Sequence, residues 1–162
     1  MNIYTDGACK DNSRENGVAG GRGGWAFLIL EEIPGQDMEV VCQGSGYKNG
    51  TTNQEMEISA VAEAFDSIVG NPPKINLYSD SAYVINCLKD RWFDKWRNND
   101  WKNSKGKPVE NRDAWEKMID LVERHNVNFF HVKRNTTKYI RVVDGMAKQA
   151  SKTGTSQLPL GQ

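Results

Sequence analysis

The order in which two periodicities occur along the chain constrains its fold more than any other feature. Strand-like segments come first: "NIYTDGAC", "GGWAFLILEE" and "MEVVCQGSGY", with "EIPGQD" as the turn between the second and third. Helical and extended segments then alternate. Ile58, Val61, Ala62, Phe65, Ile68 and Val69 follow helical spacing behind a Thr52–Glu55 capping-box pattern, and "NPP" ends that helix. "KINLYSD" reads as a fourth strand, and "SAYVINCLKDRW" as a second helix with Ser81 as its cap. Asn111 opens a third helix, with Trp115, Met118, Ile119 and Val122 at i, i+3, i+4 and i+7. "VNFFHVKR" is the fifth strand and residues 141–152 the last helix. Three strands followed by alternating helix and strand predict an α/β chain of mixed α+β character, a five-stranded mixed sheet flanked by helices.

At 162 residues this is one domain, with no repeat and no interdomain linker. No apolar run approaches the ~18 residues of a membrane span, and "MNIYTDGACK" lacks the pattern of a signal peptide. Cys9, Cys42 and Cys87 are odd in number and form no CxxC pair. That favours thiols in a reducing, cytoplasmic compartment over a disulfide framework or a zinc site. Net charge is zero but unevenly spread. Residues 1–70 hold 4 Lys/Arg against 11 Asp/Glu, and residues 71–162 hold 17 against 10. A protein that holds cations at one place and phosphates at another needs such a division.

Four carboxylates stand out. "YTDG" and "YSDS" are near-copies on two strands, and each aspartate, Asp6 and Asp80, shares a strand face with a tyrosine two residues earlier. Both close an apolar strand at its C-terminal end, where ligands of α/β sheets bind, although either alone also suits a turn or a helix cap. Glu57 falls on the flank of its helix's apolar stripe beside Ala60, Val61 and Ala64; alone, it is an ordinary boundary glutamate. Asp144 lies four residues before Lys148, a spacing that suits a surface ion pair. Gathered together without His or Cys, such carboxylates would repel one another unless hard cations neutralised them. Oxygen-only ligation suits Mg²⁺ or Mn²⁺. A pair of such ions activates water and stabilises the leaving oxygen in phosphodiester cleavage.

"IYTDGAC", "TTNQEMEISA", "LYSDSAYV" and "VDGMAKQA" resemble, in order and spacing, the four acidic motifs of type-1 ribonuclease H. The segment running into "KPVENRDAWEKM" resembles that family's basic protrusion and the helix after it. The resemblance implies an RNase H-like catalytic domain over residues 1–152, a Trp-rich protrusion at about 89–110, and a disordered tail at 153–162. The implied activity is endonucleolytic hydrolysis of the RNA strand of RNA–DNA hybrids, leaving 3′-hydroxyl and 5′-phosphate ends. The implied ligands of two Mg²⁺ ions, with Mn²⁺ as the alternative, are Asp6, Glu57, Asp80 and Asp144. In the family the counterpart of Asp6 bridges both ions, that of Asp144 helps hold the one that activates water, and those of Glu57 and Asp80 serve the other.

The implied substrate contacts are Asn12, Asn53 and Gln54 in the hybrid's minor groove, and Thr52 and Asn111 in a DNA-phosphate pocket. The last two also suit helix capping. The arginine common in that pocket falls at Gly50, leaving Lys48 as a substitute. In the protrusion, Trp92, Trp96 and Trp101 interleave with basic residues including Lys95 and Arg97, a pattern for phosphate neutralisation and stacking, or for a small aromatic core.

Two features depart from the family. "GVAGGRGG" has no GK[ST] after it and leads into a strand, so it reads as a flexible, enlarged glycine-rich turn and not a nucleotide loop. The histidine usual before the last acidic residue is replaced by Asn135, which cannot shuttle a proton, and the loop from there to Asp144 is a residue shorter. Slower turnover is the expectation, with Lys133, Arg134 or Lys138 available to steady phosphate. A metal-dependent exonuclease is disfavoured because Ala8, not an acid, lies two residues after Asp6. A hybrid-binding module without activity is disfavoured by the four filled acidic positions, and a glycosidase explains neither those nor the protrusion. The partner expected is an RNA–DNA hybrid, for a monomer with no membrane and no obligate protein partner.

Overall fold

The computed structural model describes residues 1–10, 14–15, 18–19 and 21–160. Its elements in chain order are β1 (Asn2–Cys9), β2 (Arg14–Glu15), β3 (Val18–Ala19), β4 (Gly21–Glu31), β5 (Glu39–Thr51), α1 (Asn53–Asp66), β6 (Ile75–Ser79), α2 (Ala82–Lys89), α3 (Trp92–Asn98), α4 (Arg112–Val122), β7 (Val127–His131), α5 (Lys138–Thr153) and β8 (Gln157–Leu160). The main sheet runs β7-β6-β1-β4-β5-β8, while β2 and β3 pair with each other. β1 is antiparallel to β4 and parallel to β6, and β6 is parallel to β7, so the sheet is mixed as expected. The tail departs from expectation. It supplies β8, a short sixth strand antiparallel to β5, in place of a disordered end.

Helices on both faces explain the near-continuous apolar run in β4. Ala26 to Leu30 are buried throughout, because alternate residues face opposite layers that are both covered. Ile3, Phe27, Ile29 and Leu77 pack with apolar residues of α1, α2 and α4. Tyr4, Ala26, Leu28 and Leu30 pack with Ile140, Val143 and Ala147 of α5. At two points the helices approach the sheet too closely for any side chain. A Cβ on Gly7 would lie 2.4 Å from the backbone nitrogen of Glu57, and one on Gly24 would lie 2.2 Å from the Ala147 carbonyl oxygen. These glycines set how near α1 and α5 come to β1 and β4.

Hydroxyl caps fix several helix starts. Thr52 Oγ1 accepts from Glu55 N at 3.3 Å, Ser81 Oγ from Val84 N at 3.3 Å, and Thr137 Oγ1 from Ile140 N at 3.2 Å. The Thr137 cap starts α5 three residues earlier than the apolar spacing indicates. Asn111 precedes α4 but does not cap it through its side chain. Its backbone is left-handed, with φ 60. The protrusion contains a helix, α3, that its polar composition hides. Trp96 stacks edge-on against Trp115 at 5.3 Å, and Trp101 lies 5.8 Å from Trp96.

Candidate active site

Parallel pairing of β1 with β6 brings the two aspartate motifs into register. Tyr4 is opposite Tyr78 and Thr5 opposite Ser79, and the tyrosine rings stack at 4.6 Å. Asp6 and Asp80 follow one residue on, side by side at the C-terminal edge of the sheet. Gly7 admits α1 close enough to bring Glu57 to the same edge. Asp6, Glu57 and Asp80 each offer a carboxylate oxygen, all within 4.8 Å of one another. Asp144 reaches Asp6 from α5 and is 8% exposed, too buried for a plain surface charge. Its ion pair with Lys148 is nonetheless real at 2.9 Å, and Arg134 adds a second at 3.6 Å.

The electrostatics divide these groups. Asp6 is 2% exposed. Its Oδ1 accepts from Gly7 N at 2.9 Å, but Oδ2 meets no donor, nor does Oε2 of the equally sequestered Glu57. A carboxylate can bond another carboxylate only through a shared proton. Burial, then the charge of Asp80 and the contact with Asp144, pushes the Asp6 carboxyl up to about 8. Burial first, then Asp6 and Asp80, pushes Glu57 well above the usual range. For Asp144 burial also pushes upward, but Lys148, the contact with Asp6, and Arg134 outweigh it, and it stays below the ordinary aspartate value. The cluster therefore holds negative charge poorly by itself. Oxygen-only donors, two of them buried and without partners, fit hard divalent cations.

An open cleft of about 860 Å³ runs over these carboxylates, bordered by Asn53, Arg134, Lys148 and Lys152 among others. A hollow beside it shares Asn53, Glu57 and Ser81 and is also lined by Thr52 and Gln54. Gln54 Oε1 accepts from Asn111 Nδ2 at 3.2 Å, which joins the two expected substrate regions. Lys48 is engaged with Glu55 at 2.8 Å. Asn12, like part of the glycine-rich turn, lies outside the described residues.

In the protrusion, Trp96 is a correction to the expected contacts. It is 8% exposed and belongs to the aromatic core, because α3 turns it toward Trp115. Trp92 is half-buried, edge-on to Tyr83 at 5.3 Å. Lys95 is exposed, and so is Arg97, which pairs with Glu123 at 3.1 Å. Asn135 is exposed and does not line the cleft; its neighbour Arg134 does. Thr136 N donates to Lys133 O across this turn, and Asn135 has φ 62, a left-handed conformation that asparagine tolerates. His131 lies nearer the carboxylates than its place in the sequence suggests, with Nε2 3.2 Å from the Asp80 carbonyl oxygen.

The profile of the RNase H family matches residues 1–152. The chain belongs to the RNase H family. Ribonuclease H of Thermoanaerobacter sp. (strain X514) is 39% identical over 160 residues, 98% of this chain and 94% of that one. Among solved structures, LC9-RNase H1, a type 1 RNase H with the type 2 active-site motif, superposes with a TM-score of 0.81 at 26% identity. That match covers 96% of this chain and 74% of the other. A foamy viral protease-reverse transcriptase in complex with an RNA/DNA hybrid shares the fold, with a TM-score of 0.70 at 23% identity over 94% of this chain and 20% of that one. This RNase H carries Arg134 and Asn135 in the loop before Asp144.

Proposed function

We propose that this RNase H cuts the RNA strand of RNA–DNA hybrids internally, leaving 3′-hydroxyl and 5′-phosphate ends. The observation that carries the reading is the convergence of Asp6, Glu57 and Asp80 on one edge, with Asp144 in contact with Asp6 and with buried oxygens of Asp6 and Glu57 that lack donors. These four would hold two divalent ions, Mg²⁺ by preference and Mn²⁺ as the alternative. Bound there, the ions supply an activated water and stabilise the departing oxygen. Lys148 and Arg134 keep Asp144 ionised and turned toward Asp6. Asn53 borders the cleft and, with Gln54, the hollow beside it where the minor groove's 2′-hydroxyls would lie, and Asn111 holds the Gln54 amide in place. Arg134 takes the cleft-facing position in the loop that lacks a histidine, and can steady phosphate but not relay a proton at neutral pH. The chain needs no protein partner for this chemistry. Its buried Cys42 and Cys87 suit a reducing, cytoplasmic setting, and no described helix is long and apolar enough to cross a membrane.

Labelled RNA–DNA hybrid, double-stranded RNA and single strands, each incubated with Mg²⁺ or Mn²⁺, test this. Internal cuts are expected only in the hybrid's RNA, and Asp80→Asn should abolish them. Binding of hybrid without cleavage under either metal would instead favour a non-catalytic module.

A further inference from the structure

Beyond the carboxylates the cleft continues along one face of α5. Asp144, Lys148 and Lys152 recur every fourth residue, so they stack on that face about 6 Å apart along the helix axis. Lys148, Gln149 and Lys152 all line the cleft, as does Lys10, just past the end of β1. Lys148 is committed in part to Asp144, whereas Lys152 makes no ion pair with a described residue. The end of α5 is also held firmly. Arg22 Nε donates to the Ser151 carbonyl at 2.7 Å and Nη2 to the Lys152 carbonyl at 2.6 Å, while Ser151 Oγ donates back to the Arg22 carbonyl at 3.0 Å. Gly154 closes the helix in the left-handed conformation, φ 62. Two cations and an amide are thus presented from a rigid wall that begins at the acidic cluster and leads away from it.

We propose that Lys148, Gln149 and Lys152, with Lys10, form a track for the phosphodiester backbone of the RNA strand on one side of the cut. The inference rests on the hybrid-cleavage reading above and assigns a further stretch of substrate to the same cleft. Acid next to base is the reason for its placement. The strand must meet the carboxylates with its scissile phosphate, and the adjoining phosphates need cations to offset repulsion from that cluster. Lysines are suited to phosphates without sequence preference.

The test compares the full chain with a Lys10→Gln/Lys152→Gln variant, and with a Lys74→Gln/Lys89→Gln variant whose lysines do not line the cleft. Circular dichroism checks that all three fold alike. Binding of labelled hybrid is followed by fluorescence anisotropy in EDTA, which prevents cleavage, across a salt series. Each lost phosphate contact lowers the slope of log K against log salt by about 0.9. The track variant should therefore lose close to two from its slope, and the control variant well under one. Hybrids shortened in their RNA from the 5′ or the 3′ side of the cut locate the contact. Shortening one side only should weaken the wild type, and the track variant should not respond to that shortening. Equal slopes for the two variants, or equal sensitivity to both ends, would overturn the track while wild-type cleavage of hybrid left the nuclease reading standing. A wild-type chain that neither binds nor cuts hybrid would overturn both.

Discussion

Neutralising Asp6 should stabilise the cation-free protein, and by more as the pH rises. The folded chain lifts this carboxyl from 3.8 to about 8, through burial first and then the charge of Asp80 and the contact with Asp144. Between those values the unfolded chain releases a proton that the folded chain keeps. Stability is therefore fully present below about pH 4 and is lost as the pH rises toward 8. At 1.36 kcal/mol per unit, the three units from pH 5 to pH 8 correspond to roughly 4 kcal/mol. Asp6→Asn carries no such charge and also relieves Glu57, whose own rise is caused partly by Asp6. Urea denaturation in EDTA at pH 5, 6, 7 and 8 should show the variant gaining on the wild type by an amount on the order of 4 kcal/mol across the series. On the proposed ligand set, saturating Mg²⁺ should close or invert the gap, since only the wild type would keep all four carboxylates and ligand binding to the folded state adds stability by mass action. A gap that stays constant with pH, or narrows as pH rises in EDTA, would refute the account of a cluster that holds charge poorly by itself.

Gly7→Ala should cost about 1–3 kcal/mol in urea denaturation, because the new Cβ would lie 2.4 Å from the Glu57 nitrogen and α1 must move. It should also cut hybrid cleavage by about tenfold or more, since a displacement near 1 Å at a reacting centre can cost about 10²; an unchanged rate would show that Glu57 does not depend on this approach. Asn135→Val should lose about 1–2 kcal/mol from its left-handed φ of 62, while Asn135→Gly should fall within about half a kcal/mol of wild type. Asn135→His should fall well short of the ~10² typical of a working general acid or base, because position 135 does not line the cleft; a full hundredfold gain in cleavage would contradict that placement. Arg134→Gln should slow cleavage by no more than about fivefold, since an ion pair with a guanidinium 63% exposed is worth under about 1 kcal/mol. A thousandfold loss would make Arg134 a direct participant.

The parts of this molecule that the sequence makes legible are those that repeat or alternate. The order of periodicities specifies the sheet and most of its helices, because β1, β4 and α1 bury faces whose spacing is visible in the chain. The paired "YTDG" and "YSDS" motifs convert directly into register, Tyr4 against Tyr78, and so into the meeting of Asp6 with Asp80. What is hidden depends on contacts between distant residues. The polar letters around Trp96 conceal α3, whose stability comes from Trp115 some twenty residues later. β8 is hidden too, because a strand in a Gly- and Pro-bearing tail is decided by the edge of β5 that receives it.

The loop before Asp144 gives position 135 a backbone role that the sequence does not display. Counting positions puts Asn135 where a histidine is usual, which suggests that it replaces that side chain. The turn supplies a different reason for the residue. Its φ of 62 favours asparagine, and the same turn directs Arg134 to the cleft and within 3.6 Å of Asp144. Asp144 is then held by Arg134 and, at 2.9 Å, by Lys148, so its ion pair and its place beside Asp6 are one arrangement. Two exposed cations, with the contact to Asp6, hold Asp144 below the ordinary aspartate value against its own burial, while Asp6 and Glu57 are pushed up. The residue that this loop turns toward the cleft is thus a cation, while position 135 serves the turn that carries it.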